Sequence, residues 1–351
     1  MSGKEKEVKK QSVDKKDQYI RCCLEKNVES SLSTGFEKYI LENHPLPEIT
    51  LGDIDTSSTF LGKHITAPFI ISPITGGTER SMRINKNLAE AAQELGIAMS
   101  VGSQKLALEN PSLIPTYQVR DVAPKIPLLA NLGAIYLNYG YGLEECKRAV
   151  EMIQADGLIL YLNPLQKIIQ ESPQLDFKDL IKKISKVCRE VGVPVIVKEV
   201  GFGLSSSSAV LLKEAGVWAL DIAGAGGTSW AKIERLIREE GDSFNPLGDT
   251  FDNWGIPTAE SLISIVEVCK NMPIIASGGI RNGVDMAKAI ALGASYVGMA
   301  LPLLAPAAES SGAVKEKIQN VIAEFRVAMF CCGKKNLEEL RTSHCISKIT
   351  R

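Results

Sequence analysis

The stretch Pro194-Val-Ile-Val-Lys198, followed by Glu-Val-Gly-Phe-Gly203, a helical run over Ser206–Ala215 closed by Gly216, and then Ala219-Leu-Asp-Ile222, decides the fold. Its strand is apolar at consecutive positions rather than alternating, as a strand covered on both faces requires. The helix between the two strands ends at glycine, the residue favoured just past a helix C-terminus. Working outward, the same unit recurs. Upstream strands read Pro68-Phe-Ile-Ile-Ser72, Ile97-Ala-Met-Ser-Val101, Pro127-Leu-Leu-Ala-Asn131 and Leu158-Ile-Leu-Tyr-Leu162; downstream ones read Pro273-Ile-Ile-Ala-Ser277 and Tyr296-Val-Gly-Met299. Helical spacing covers 84–95, 143–154, 180–191, 259–269 and 285–292. Eight successive βα units predict an α/β fold, a (β/α)8 TIM barrel. A dinucleotide-binding open sheet would want G-x-G-x-x-G at its first helix, and Thr75-Gly-Gly-Thr78 does not supply it.

The repeat divides the chain into an N-terminal arm and extension (1–60), the barrel (61–330) and a C-terminal tail (331–351). The segment 226–257 after the sixth strand is long for a βα loop, a length associated with lids and binding loops. Across 351 residues, 40 basic and 41 acidic side chains leave a net charge of −1, which argues against nucleic acid or an anionic membrane as partner. An apolar fraction of 45% with 23% charged residues is that of a globular protein. The first eighteen residues lack an apolar core and mix acidic with basic side chains, unlike a secretory or transit segment. No apolar run reaches the ~18 residues of a membrane span. The eight cysteines form no C-x-x-C, so reduced thiols in a cytoplasmic protein are expected, and no zinc site.

In a TIM barrel, function collects on the loops beyond the C-terminal ends of the strands. Those ends read Thr75-Gly-Gly, Gly102-Ser-Gln-Lys105, Asn131, Asn163 with Gln166, Lys198, Ala223-Gly-Ala-Gly-Gly-Thr228, Gly278-Gly-Ile-Arg281 and Ala300-Leu301. This ring of amides, hydroxyls and ammonium groups suits an anionic, polar-edged ligand rather than hydrolysis by paired carboxylates or a Ser-His-Asp set. The three histidines, His44, His64 and His344, all lie away from the strand ends. Proton or hydride movement is therefore expected to belong to a cofactor. Lys198 ends an otherwise apolar strand. It is a rim lysine in water, a cation facing an electron-rich ring, or a Schiff-base lysine. Glu199 points to the opposite face of that strand. The glycines of 277–283 and 223–228 let backbone N–H groups approach a phosphate closely.

The residues Thr34-Gly-Phe-Glu37, Ile74-Thr-Gly-Gly77, Gly102-Ser-Gln104, Leu162-Asn-Pro-Leu-Gln166, Asp221-Ile-Ala-Gly-Ala-Gly-Gly-Thr-Ser-Trp230 and Ala276-Ser-Gly-Gly-Ile-Arg281, with the Lys198 strand, resemble the type 2 isopentenyl-diphosphate δ-isomerases. These are FMN flavoproteins, and the resemblance runs from about residue 15 to the C-terminus. It implies FMN at the barrel mouth, with Pro73, Ile74, Thr75, Ser103, Asn131 and Lys198 along the flavin ring. Thr228, Gly278, Gly279, Arg281, Ala300 and Leu301 would hold the FMN phosphate. Lys198 and Gln166 would be catalytic; Lys15, Lys16, Ser103, Gln104, Lys105, Asn163, Gln166 and Lys167 would bind substrate. It also implies NAD(P)H as reductant, Mg²⁺ at the diphosphate, and a cytoplasmic homo-oligomer, a tetramer or octamer.

The substrate half departs from the family pattern. Arg-Lys-x-x-His reads Lys15-Lys-Asp-Gln-Tyr19, Gly-Ser-Gln-Arg ends in Lys105, and His-Leu-Asn-x-x-Gln-Glu reads Tyr161-Leu-Asn-Pro-Leu-Gln-Lys167. Lysine cannot coordinate a cation where the family places its magnesium-binding Glu. Either Lys167 meets the diphosphate directly, or the site serves another phosphorylated or anionic substrate as an FMN-dependent oxidoreductase or, catalytically silent, only holds FMN.

Overall fold

The computed structural model describes residues 3–170, 175–238 and 245–349. Residues 1–2 of the predicted arm, 171–174 and 239–244 of the predicted barrel (the latter in its long loop), and 350–351 of the predicted tail lie outside them. The arm opens as a helix, α1 (Gly3–Glu25), where the sequence reading assigned none. It continues through β1 (Tyr39–Leu41) and a hairpin, β2 (Ser58–Phe60) with β3 (Lys63–Ile65). The barrel then alternates strands and helices: β4 (Phe69–Ile71), α2 (Glu79–Leu95), β5 (Ala98–Ser100), α3 (Lys105–Glu109), β6 (Leu128–Gly133), α4 (Leu143–Met152), β7 (Gly157–Tyr161), α5 (Pro164–Gln170), α6 (Leu180–Glu190), β8 (Val195–Lys198), α7 (Ser206–Glu214) and β9 (Ala219–Asp221). The long loop carries two short helices, α8 (Trp230–Leu236) and α9 (Asn245–Thr250), before α10 (Thr258–Val268) and β10 (Ile274–Ala276). The circuit closes with α11 (Gly283–Ala291), β11 (Tyr296–Met299) and α12 (Leu301–Glu309). Outside it lie α13 (Ser311–Cys331), α14 (Leu337–Thr342) and β12 (Ile346–Lys348), which pairs antiparallel with β1.

Strands β4 to β11 form one closed parallel barrel in chain order, each matching one of the eight predicted segments. Local chemistry sets the helix ends. Thr78 caps α2 by accepting a hydrogen bond from the Ser81 N–H, and Gly96 stops it at φ 64°.

The barrel interior is layered. Its floor is one inward residue per strand, Ile70, Ala98, Leu129, Ile159, Ile196, Ala219, Ile275 and Tyr296, packed on Phe60 and Ile65 of the hairpin. Phe60 lies edge-on to Tyr296, with ring centroids 4.8 Å apart. The hairpin thus plugs the N-terminal end, and the barrel is open only at the other. Each isoleucine or leucine of the floor buried this way contributes about 1.5–3 kcal/mol of transfer free energy.

Candidate active site

Side chains two residues apart on a strand share a face. Two positions beyond each floor residue stand Ser72, Ser100, Asn131, Tyr161, Lys198, Asp221, Ser277 and Gly298. The strands therefore switch from an apolar floor to a polar ceiling over one step. Ser72, Asn131, Tyr161, Lys198, Ser277 and Gly298 of this ceiling line a cavity of about 450 Å³. Among the described lining residues are six cationic side chains and no carboxylate.

Lys198 sits in this ceiling as one corner of a buried triangle. Its Nζ lies 2.8 Å from Asp221 Oδ2 and donates to Ser277 Oγ at 2.9 Å; Ser277 Oγ in turn donates to Asp221 Oδ1 at 2.5 Å. Lys198 is 8% exposed, so the reading of a solvated rim lysine is overturned. Glu199 points away, as strand alternation requires. Its Oε2 accepts from the N–H groups of Val200, Gly201 and Phe202, tying down the loop after β8. Burial still pushes its carboxyl up to about 7, against those three donors.

One flank of the mouth is built around Glu234 of α8, which is fully buried. Its Oε1 accepts from Tyr19 OH at 2.6 Å and Gln166 Nε2 at 3.0 Å, while Lys15 Nζ stands 3.3 Å from Oε2. Asn163 Nδ2 donates to Gln166 Oε1 at 2.8 Å. The carboxylate thereby fixes which way the Gln166 amide faces. Beside it, Lys105 and Lys167 approach the same face-bearing ring, Tyr136, at 5.0 and 5.1 Å from its centroid. Lys16 also lines the cavity; burial and the charges of Lys105 and Lys167 pull its ammonium down to about 8, with Glu234 opposing. Tyr161 OH donates to Ser103 Oγ at 3.2 Å.

The opposite flank is backbone. Gly278 and Gly279 adopt φ of 96° and 76°, a region that disfavours any side chain. A Cβ on Gly278 would stand 2.1 Å from the Gly224 carbonyl oxygen, and one on Gly279 would stand 2.3 Å from Thr34 Cγ2. The loops after β9 and β10 and the segment around Thr34 are thus pressed into a bare-backbone cradle. Thr228, Ala300 and Leu301 border it, the last two at the N-terminus of α12. Arg281 borders it too, but its guanidinium holds Glu29 at 2.7 and 3.0 Å.

Every residue the sequence singled out lines this one cavity, with a single exception. Gln104 turns away: its amide donates to the Ala149 carbonyl at 2.8 Å and accepts from the Asn131 N–H at 2.8 Å. It braces β6 against α4 instead of meeting a ligand. Sequence reasoning missed Glu234, Asp221, Ser277 and Tyr136. Asp221 and Ser277 were visible as polar residues closing apolar strands in step with Lys198. Glu234 lies in an ordinary amphipathic helix and carried no such signal.

Residues 15–110 and 160–347 match the FMN-dependent dehydrogenase family. A Nostoc isopentenyl-diphosphate delta-isomerase is 47% identical over 340 residues, 97% of each chain. One from Synechocystis is 48% identical over 327 residues, 93% of each. Among solved structures, a mandelate oxidase superposes with a TM-score of 0.62 at 16% identity, covering 92% of both chains. A flavocytochrome b2 gives 0.65 at 16% identity, covering 90% of this chain and 77% of that one. At such identities the structural likeness speaks for the fold.

Proposed function

This chain belongs to the type 2 isopentenyl-diphosphate delta-isomerases, within the FMN-dependent dehydrogenase family, and from that membership we propose how its residues divide the work. The enzyme interconverts isopentenyl diphosphate and dimethylallyl diphosphate, a step of isoprenoid biosynthesis, and is an FMN flavoprotein.

The residues present fit FMN. Ser72 Oγ and Asn131 Oδ1 are buried at the cavity wall without a hydrogen-bond partner among the described residues, as suits a ligand with polar edges. The Gly278–Gly279 cradle and the N-terminus of α12 suit its phosphate. Pro73, Ile74, Thr75, Ser103, Asn131 and Lys198 would border the ring; Thr228, Gly278, Gly279, Arg281, Ala300 and Leu301 would border the phosphate. When bound and reduced, FMN supplies the proton-transferring, electron-rich surface that a double-bond shift needs.

The rest is done by side chains. Lys198, held by Asp221 and Ser277, would stand beside the ring, where its ammonium would stabilise negative charge in a water-poor site. Gln166, oriented by Glu234 and Asn163, would meet the substrate and hold it in register. Lys15, Lys16, Lys105 and Lys167 attract the diphosphate, with Ser103 and Asn163 adding neutral contacts. NAD(P)H as reductant, a cytoplasmic location and a homo-oligomer, a tetramer or octamer, complete the reading; among the described residues no helix is long and apolar enough to cross a membrane.

The observation that carries this reading is a cavity lined, among the described residues, by six cations, the buried Lys198 among them, and no carboxylate. An FMN-dependent oxidoreductase acting on another anion is the second reading. It needs a base for substrate oxidation, and no histidine lines the cavity among the described residues. Adding isopentenyl diphosphate to the photoreduced holoenzyme without air separates the two. A perturbed reduced-flavin spectrum with no reoxidation supports the isomerase; reoxidation or bleaching of oxidised flavin by a metabolite supports the oxidoreductase.

A further inference from the structure

The family resemblance implies a magnesium ion at the diphosphate, and the residues do not fit one. Magnesium takes oxygen ligands in near-ideal octahedral geometry, commonly one or two carboxylates together with substrate phosphates. No carboxylate lines this cavity among the described residues, and no group of three His, Cys, Asp or Glu side chains among them could hold a metal ion. Glu234 lies behind the wall, already accepting from Tyr19 and Gln166 and paired with Lys15. Glu109, at the rim, is paired with Lys105 at 3.3 Å and accepts from Tyr141 OH. A divalent cation entering here would meet ammonium groups.

Those groups are built in. Lys167 is 4% exposed, and its Nζ shares the Tyr136 ring with Lys105. A ring face holds an ammonium in place without cancelling its charge. Lys16 is close enough to both for their charges to lower its own pKa, with Glu234 opposing, so the lysines crowd one side of the mouth. A diphosphate carries several negative charges and can reach several ammonium groups at once, each contact a charge-assisted hydrogen bond.

We infer that the substrate's diphosphate is held by the charge of lysine side chains and not of a metal ion, Lys167 bringing the positive charge that a divalent cation would otherwise bring, and that its binding uses no metal. This rests on the diphosphate substrate proposed above, and the test keeps the two apart. Calorimetric titration of the FMN-loaded protein with inorganic pyrophosphate, in EDTA and in Mg²⁺, reads the grip without any turnover. Binding is expected to be full in EDTA, and Mg²⁺, which complexes pyrophosphate in solution, should not strengthen it. In Lys167→Met the dissociation constant should rise by about tenfold or more, the loss of a hydrogen bond to a charged partner, while flavin absorbance is unchanged. Lys167→Glu should bind pyrophosphate only when Mg²⁺ is added. Binding by the unaltered protein that vanishes in EDTA and returns with Mg²⁺ overturns the inference while leaving the isomerase reading intact. Metal-independent binding without turnover of isopentenyl diphosphate supports the inference and overturns the isomerase.

Discussion

Lys198 and Asp221 are register partners on β8 and β9, and the pairing of those strands brings Nζ to 2.8 Å from Oδ2 inside the barrel. The ion pair is therefore a product of barrel closure and not of a flexible loop. Both residues are buried, so removing one leaves the other uncompensated, at a cost of about 3–5 kcal/mol. Lys198→Met is expected to lower the thermal midpoint and to cut turnover by about 10²–10³-fold, the scale of losing a preorganised charge at a reacting centre. Lys198→Met combined with Asp221→Leu should recover much of the stability and none of the turnover. Thermal melts and initial rates on the three variants check this.

The backbone cradle makes a second prediction. In Gly279→Ala the new Cβ meets Thr34 Cγ2 at 2.3 Å and the Gly226 carbonyl oxygen at 2.4 Å, at a φ of 76° that already disfavours it. The loops must separate, and the purified variant is expected to emerge largely without flavin. Glu29→Gln is milder. It releases Arg281 from its ion pair and should tighten FMN binding a few-fold if that guanidinium serves the phosphate. Flavin content by absorbance and a fluorescence titration with FMN measure both.

Lys16 predicts a pH dependence. Its ammonium is pulled down to about 8, first by burial and then by Lys105 and Lys167, against Glu234. Above that pH the free enzyme loses the charge, and a bound anion favours its return. KM for a diphosphate substrate should rise as pH passes from about 7.5 to 9.5, with kcat changing less. Lys16→Arg, which stays protonated, should flatten the rise.

Glu234 acts through its neighbours. Glu234→Gln replaces a carboxylate that accepts from Tyr19 and Gln166 by an amide that donates at one end, leaving the Gln166 amide free to flip. Turnover should fall by about tenfold or more with FMN affinity unchanged, the sign of misplacement and not of lost cofactor. A drop in flavin content of the same size would mean that the variant merely loosens the mouth.

How much of this the sequence carried depends on how each feature is encoded. The eight strands were legible because burial on both faces writes an uninterrupted apolar run such as Val195-Ile-Val197. Helix α1 was not, because its lysine-rich first half shows no apolar stripe in the sequence, while its apolar contacts with the protein among the described side chains come from Tyr19, Ile20, Cys22, Cys23 and Leu24 near its end. The cavity residues were legible wherever a polar side chain closes an apolar strand. Glu234 and Tyr136 were hidden because each owes its part in the site to contacts distant in sequence: Glu234 with Tyr19, 215 positions away, and Tyr136 with lysines from two helices. Gln104 was misassigned for the converse reason. Its neighbours Ser103 and Lys105 line the cavity, and only the turn between them sends its amide into the core.

The most direct test of the account is the conversion of isopentenyl diphosphate to dimethylallyl diphosphate by the purified protein loaded with FMN and kept reduced by NADPH or dithionite, followed by product analysis. The account predicts steady turnover under reduction, its loss when the flavin is oxidised, and no net consumption of reductant per product formed. Fully bound, fully reduced flavin with no dimethylallyl diphosphate formed would contradict it.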